Sequence, residues 1–320
     1  MKKKLLAILM VATMAVSLFA CGSKKSDSDL IKVGIINNDP NESGYRTAND
    51  KDLRATFTKD NGYDASFKYS IKNDEQISFA QQFIQDGVDY LLLSAADVTG
   101  WDTVLKDAKD AGIKVILFDR TIKADESYYE ASIVSDMRKE GDTAAAWLKA
   151  QNLSEYNIIH IQGIMGSAAQ EGRSAAMTET AKTEGWNIVT QQTAEWGADK
   201  AQQIVQSVID SKKPFNVIYA ENDDMAKGAV AALDKAGISH GVGKDVIIMG
   251  YDCNKWALQE LLDQNWNYDG QCNPFQSSYI DSIIKDLEAG KTLSEKVIIM
   301  DEKGFDATTI TADDVEKYGI

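Results

Sequence analysis

Apolar residues fall along this chain in short blocks, each closed by polar or glycine-containing sequence, and the blocks alternate with longer stretches of helical spacing. Such alternation predicts parallel strands covered by helices on both faces. The first block, 31–36, runs into the polar loop from Asn37 to Gly44 and then a helix over 45–59. Strands follow at 63–69, 88–93 and 113–118. Between them, one helix has a capped start at Asn73 with Gln76 three residues on and a stop at Gly87, and another covers 101–111. A second series places helices at 138–150, 168–183, 198–211, 225–236 and 255–263, with strands at 157–161, 186–190, 216–220, 245–249 and 268–272. The tail returns to helix at 277–289 and strand at 297–300. The expectation is an α/β chain of two doubly wound parallel-sheet lobes.

One block differs from the rest. Val115, Ile116, Leu117 and Phe118 end abruptly in Asp119 and Arg120, an acid and a base at the tip of a buried strand. A weak repeat gives this tip a counterpart: the helices ending Ala111-Gly112-Ile113 and Ala236-Gly237-Ile238 each lead to an apolar strand that ends in an acid, Asp119 and Asp252. Open α/β sheets bind ligands at the carboxyl ends of their strands, so a cleft between the lobes would let both acids act. The polar and aromatic residues at these tips and in the loops after them are Glu42, Tyr45, Arg46, Ser94, Trp101, Asp119, Arg120, Arg173, Trp196, Asn222, Asp223 and Asp252. Planar hydrogen-bonding groups mixed with aromatic faces suit a neutral polyol, whose hydroxyls need oriented partners and whose C–H face needs cover. Singly, these residues have plainer uses: Asp119 and Arg120 as a turn-closing ion pair, Asn222 and Asp252 as helix caps, Trp101 and Trp196 as packing.

The N-terminus adds an address. Lys2, Lys3 and Lys4 precede an apolar run over 5–19 that is shorter than the ~20 residues a bilayer span needs, which fits an export signal over 1–20. The Leu18-Phe19-Ala20-Cys21 junction resembles the lipobox of bacterial lipoproteins, implying lipidation at Cys21 and a tether over 21–29. Loss of those three lysines lowers the formal net charge from −15 to −18, which argues against nucleic acid and against anionic membrane surfaces as partners. Contact with the membrane would be through the lipid alone. Cys253 and Cys272 are the remaining thiols; outside the cytoplasm they could pair or stay free. No Cys/His spacing suggests a metal, and no cofactor motif is present.

An enzyme is the rival class. The chain carries no G-x-S-x-G elbow, HExxH or P-loop, and His160 lies in an apolar strand as a satisfied core histidine would. Two acids across a cleft also suffice for glycoside hydrolysis. A cytoplasmic repressor is disfavoured by the export signal and by the lack of an N-terminal DNA-binding unit.

The segments Glu42-Ser43-Gly44-Tyr45-Arg46, Thr99-Gly100-Trp101, Phe118-Asp119-Arg120-Thr121-Ile122, Gln162-Gly163 with Arg173, and Tyr219-Ala220-Glu221-Asn222-Asp223-Asp224-Met225 resemble the sugar-specific periplasmic binding proteins of the ribose and galactose type, closest to the galactofuranose-binding branch. The resemblance implies the type I periplasmic binding protein fold, with a hinge and a monomeric chain. It implies capture of a monosaccharide and its delivery to an ABC transporter permease, with sensing through a membrane receptor or kinase as the alternative. It also implies sugar contacts from Asp119, Arg120, Arg173, Asn222 and Asp252. The chain departs from that branch at Tyr45, where the branch carries Trp, and over 270–274, which brings Cys272 against the ligand. Three crossings near 134, 274 and 304 would give lobe one as 30–134 plus 275–304 and lobe two as 135–274 plus 305–320.

Overall fold

The computed structural model describes residues 29–320. The export signal and Cys21 lie outside the described residues. Two six-stranded sheets carry the fold. The first contains β1 (Ile31–Asn37), β2 (Tyr63–Tyr69), β3 (Tyr90–Leu93), β4 (Lys114–Asp119), β5 (Ala131–Val134) and, from the tail, β11 (Val297–Ile299), in the order β2-β1-β3-β4-β5-β11. The second contains β6 (Asn157–Gln162), β7 (Asn187–Thr193), β8 (Val217–Ala220), β9 (Ile247–Tyr251), β10 (Tyr268–Gly270) and β12 (Gly304–Asp306), in the order β7-β6-β8-β9-β10-β12. All neighbours are parallel except β12, which runs antiparallel to β10. β4 and β9 hold the same place in the two orders, so the sequence repeat corresponds to a repeat of sheet position.

The helices α1 (Gly44–Thr56), α2 (Asn73–Asp86), α3 (Asp102–Asp110) and α9 (Ser277–Glu288) sandwich the first sheet. Alternation along each strand divides its apolar side chains between two cores. Ile116 and Phe118 of β4 pack with Leu53, Phe57, Ile280 and Ile284, while Val115 and Leu117 pack with Phe83, Val104 and Leu105. Trp101 belongs to this second core: it is fully buried and its indole N–H donates to Asp97 O at 2.8 Å. The start of α2 also differs from expectation. Asn73 is its first helical residue and donates to Thr99 O at 3.0 Å, while the Gln76 amide accepts from the Ala96 N–H and donates to Ser70 O, tying the helix to the loops around it.

The second sheet is covered by α4 (Met137–Ala150), α5 (Ala168–Glu184), α6 (Ala198–Asp210), α7 (Asp223–Ala236), α8 (Lys255–Leu262) and α10 (Ala312–Tyr318). The chain passes between sheets after β5, after β10 and between β11 and β12. Gly304 therefore stands in the second sheet, one residue ahead of the expected change of lobe. Each strand-tip acid lies beside a strand that leaves for the other lobe. Asp119 pairs with Val134 of β5, and the Asp252 N–H donates to Gly270 O of β10 at 2.9 Å.

Candidate ligand-binding cleft

Both acids sit where the backbone is strained. Asp119 has φ +64° and Asp252 φ +105°, the left-handed region that side-chain-bearing residues avoid. At Asp119 the chain closes a tight γ-turn, with the Arg120 N–H donating to Phe118 O at 2.6 Å. The turn stops the strand and swings the carboxylate and guanidinium into the cleft together.

In the first lobe Asp119 is a hub. It accepts from the Tyr45 hydroxyl at 2.8 Å, from Arg46 Nη1 at 2.5 Å and from Ser94 Oγ at 2.6 Å. Ser43 caps α1 and so fixes the turn that presents Tyr45 and Arg46. Gln276 donates to the Tyr45 oxygen at 3.1 Å, and Glu42 accepts from Arg46 Nε at 3.3 Å. Burial opposes ionisation of Asp119, but the charges of Arg46 and Arg120, with bonds from Ser94 and Arg46, outweigh it and hold the carboxyl below its ordinary value. Arg120 reaches Asn38 Oδ1 and Ala95 O at 3.4 Å each. Arg120 Nε and Glu42 Oε1 are buried without a hydrogen-bond partner.

In the second lobe Arg173 of α5 donates through Nε to Glu140 Oε2 at 2.7 Å and through Nη1 to Glu221 O at 2.5 Å, and its guanidinium lies over the Tyr251 ring. Nη2 stands 3.7 Å from Asp252 Oδ1 and makes no hydrogen bond. Burial pushes Asp252 well above the usual carboxylate range; Arg173 opposes this, while Asp223, Asp224 and Glu140 add to it. The two acids thus differ in character, Asp119 held as an anion and Asp252 drawn toward its neutral form. Trp196, at φ +67°, lays its ring on Gly163, where a Cβ would stand 2.0 Å from the indole, and its Nε1 is buried without a partner. Asn222 caps α7 through the Met225 N–H at 2.9 Å, its Nδ2 reaches Trp196 O at 3.5 Å, and the residue lines the cleft.

Behind these groups stands a support that sequence reading missed. Glu221 accepts from Gly163 N, Ser174 Oγ and the His160 ring, so His160 is a core residue with a buried carboxylate partner. Asp223, one of the polar residues expected at the cleft, instead accepts from Asn254 N at 2.8 Å and meets Asp269 in the interior. Asp224 reaches across to the Gly44 N–H at 3.2 Å. That bond, a Val98 N–H to Gly166 O bond at 3.1 Å and a Lys123–Glu171 ion pair at 2.9 Å join the two lobes, which are closed.

Between the closed lobes lies a small cavity lined by residues of both. Ten expected residues line it: Glu42, Tyr45, Arg46, Asp119, Arg120, Arg173, Trp196, Asn222, Asp252 and Cys272. Ser94 stands behind Asp119, and Trp101 is in the core, away from the wall. Ser43, Met137 and Ala169 also line it; small or apolar, they carry no signal by which the sequence could mark them. Cys253 and Cys272 are buried free thiols. Glu140, Cys272 and Glu302 are the one group among the described residues whose potential metal donors lie within 4.8 Å of one another. Glu302 Oε1 is already committed to Ser135 Oγ and Asn273 N, and Glu140 Oε2 to Arg173, which makes this a hydrogen-bonded carboxyl cluster.

A family model for a periplasmic binding protein domain matches residues 33–280. The chain belongs to that family. It is 32% identical to the fructose import binding protein FruE of Bifidobacterium longum, over 96% of this chain and 95% of that protein. It is 29% identical to the galactofuranose-binding protein YtfQ of Escherichia coli, over 71% and 73% of the two chains. Among solved structures, the binding component of the arabinose ABC transporter of Shewanella sp. ANA-3, bound to α- and β-L-arabinofuranose, superposes with a TM-score of 0.82 at 29% identity, covering 90% of this chain and 95% of that one. Members of the family thus share the two-lobed α/β architecture described above.

Proposed function

We propose that this protein is the extracytoplasmic substrate-binding component of an ABC sugar importer, and that it takes a monosaccharide in its furanose form between two closing lobes. The observation that carries the reading is the set of unpartnered polar atoms at the closed cavity: Arg120 Nε, Arg173 Nη2, Trp196 Nε1 and Glu42 Oε1. Buried donors and acceptors without partners are costly and call for a ligand rich in hydroxyls. Three arginines face three carboxyls around the cavity, a balance that favours a neutral polyol over an anion. The Trp196 ring offers an apolar face. Relatives that bind fructose, galactofuranose and arabinofuranose support a small sugar, and the arabinofuranose complex supports the five-membered ring.

Function then follows from population shift. Sugar contacts made by both lobes exist only when they are closed, so the sugar favours the form the permease receives. Binding without turnover fits Asp119, whose oxygens are held by Tyr45, Arg46 and Ser94 and are not presented as a free nucleophile. Export as a monomer and anchoring through a lipid on Cys21 complete the proposal; among the described residues no helix is long and apolar enough to cross a membrane. A thermal-shift screen of pentoses and hexoses tests it. Stabilisation by furanose-forming sugars supports the reading, whereas shifts with amino acids or nucleosides alone refute it. Release of sugar from glycosides, abolished by Asp119→Asn, would refute the absence of turnover. Metabolic labelling with palmitate, lost in Cys21→Ser, tests the anchor.

A further inference from the structure

The three crossings are 135–136, 271–276 and 300–303, and the carboxylate of Glu302, in the third, touches the other two. Its Oε1 accepts from Ser135 Oγ of the first at 2.7 Å and from the Asn273 backbone N–H of the second at 2.6 Å. From there a continuous polar path leads to the cleft. Polar atoms of Glu302, Cys272 and Glu140 lie within 4.8 Å of one another, Ser135 Oγ is 3.6 Å from Cys272 Sγ, and Glu140 holds Arg173 Nε at 2.7 Å. Glu140 Oε1 is buried and has no hydrogen-bond partner.

We propose that Glu302 is a positioning residue for sugar binding: it clasps the three crossings in their closed setting and, through Glu140, fixes the guanidinium that the second lobe presents to the ligand. This rests on the sugar-binding reading above. Opening must change backbone angles within the crossings, so contacts joining all three belong to one setting of the hinge. Two carboxyls and a thiol share this buried space with the single guanidinium of Arg173, and like charges so close cannot all ionise. Asp136 and Lys139 at the start of α4, Tyr268 of β10 and Lys303 line the solvent side of the cluster, with Lys303 turned to Asp314. Burial, then the charge of Glu140, pushes Glu302 up to about 8. In the closed form Glu302 therefore holds a proton at neutral pH beside Glu140, whose own carboxyl burial also pushes up.

The sign follows. A more hydrated hinge in the open form holds that proton less tightly, so closure, and with it sugar affinity, weakens as the pH rises toward and past about 8. The experiment titrates sugar into wild type, Glu302→Gln and Glu302→Ala by calorimetry between about pH 6 and about pH 9. Wild type is expected to lose about tenfold in affinity across that range, and Glu302→Ala to bind about tenfold more weakly throughout. Glu302→Gln, a neutral donor of the same shape, is expected to keep its affinity with a flatter profile. A Glu302→Gln profile that follows wild type, or a Glu302→Ala affinity equal to wild type, overturns the proposal. Small-angle scattering of the unliganded proteins reads the same clasp without sugar. A larger radius of gyration for Glu302→Ala than for Glu302→Gln supports it and equal radii refute it, so failure of the sugar reading is separable. If Glu302→Ala does not fold, the Glu302→Gln profile alone decides.

Discussion

Replacing Gly44 by alanine tests closure without touching the ligand. Gly44 is the first residue of α1 and lies across the cleft from Asn254, and a Cβ there would stand 1.7 Å from Asn254 Oδ1. Asn254 is buried and its amide donates to Asp223 at 3.1 Å, so turning it aside gives up that bond. Holding the lobes slightly apart instead gives up the Gly44 N–H to Asp224 bond. A buried hydrogen-bonding group left without its partner costs about 1–3 kcal/mol, so either route weakens sugar binding by roughly 5- to 150-fold. In the open form the methyl meets no partner lobe, and alanine is the better helix former by ~1 kcal/mol. The unliganded melting temperature is therefore expected to hold or rise while affinity falls. Calorimetry and differential scanning on the same preparation check both signs. Affinity within about twofold of wild type, or a fall in melting temperature parallel to the affinity loss, would refute the argument.

The two tryptophans expected at the ligand should separate. Trp101→Ala empties a packed core and is expected to cost about 3–5 kcal/mol of stability, read by denaturant unfolding, with the affinity of the folded fraction unchanged. Trp196→Phe keeps a ring on Gly163 but removes the unpartnered N–H, so affinity is expected to fall several-fold with little change in melting temperature. Asp119→Ala leaves Arg46 and Arg120 without their shared anion and is expected to weaken binding by about 3 kcal/mol or more, measured by calorimetry. Two trends with pH should appear in melting curves. Asp119, held below its ordinary value, contributes stability above about pH 4 that is lost as the pH falls further. Asp269, pushed up to about 8 by burial and lying against Asp223, contributes stability that is full at acid pH and is lost as the pH rises toward about 8; Asp269→Asn should flatten that decline.

Sequence and structure agree most closely where apolar periodicity ends in a polar residue. The run ending at Asp119 and its counterpart ending at Asp252 occupy matching strands because a continuous apolar block must be covered on both faces and so has few places in an α/β sheet other than its middle. β5 and β12 are short, and their buried residues are diluted by Ser132 and Asp306, so neither stood out as a strand. Trp101 shows the limit of spacing: an aromatic beside a strand-end loop can point into the cleft or into the core, and the bond from its indole to Asp97 O selects the core. Supports such as Ser94, Glu221 and Glu302 are invisible for another reason. Their partners lie far along the chain, and a lone Ser or Glu carries no periodic or motif signal.

Calorimetric titration of the mature chain with furanose-forming monosaccharides addresses the central claim most directly. Saturable one-to-one binding of at least one such sugar is expected, with a dissociation constant on the order of micromolar or below, abolished by Arg173→Ala. Absence of heat with every sugar, alongside saturable binding of an amino acid or nucleoside, would contradict it.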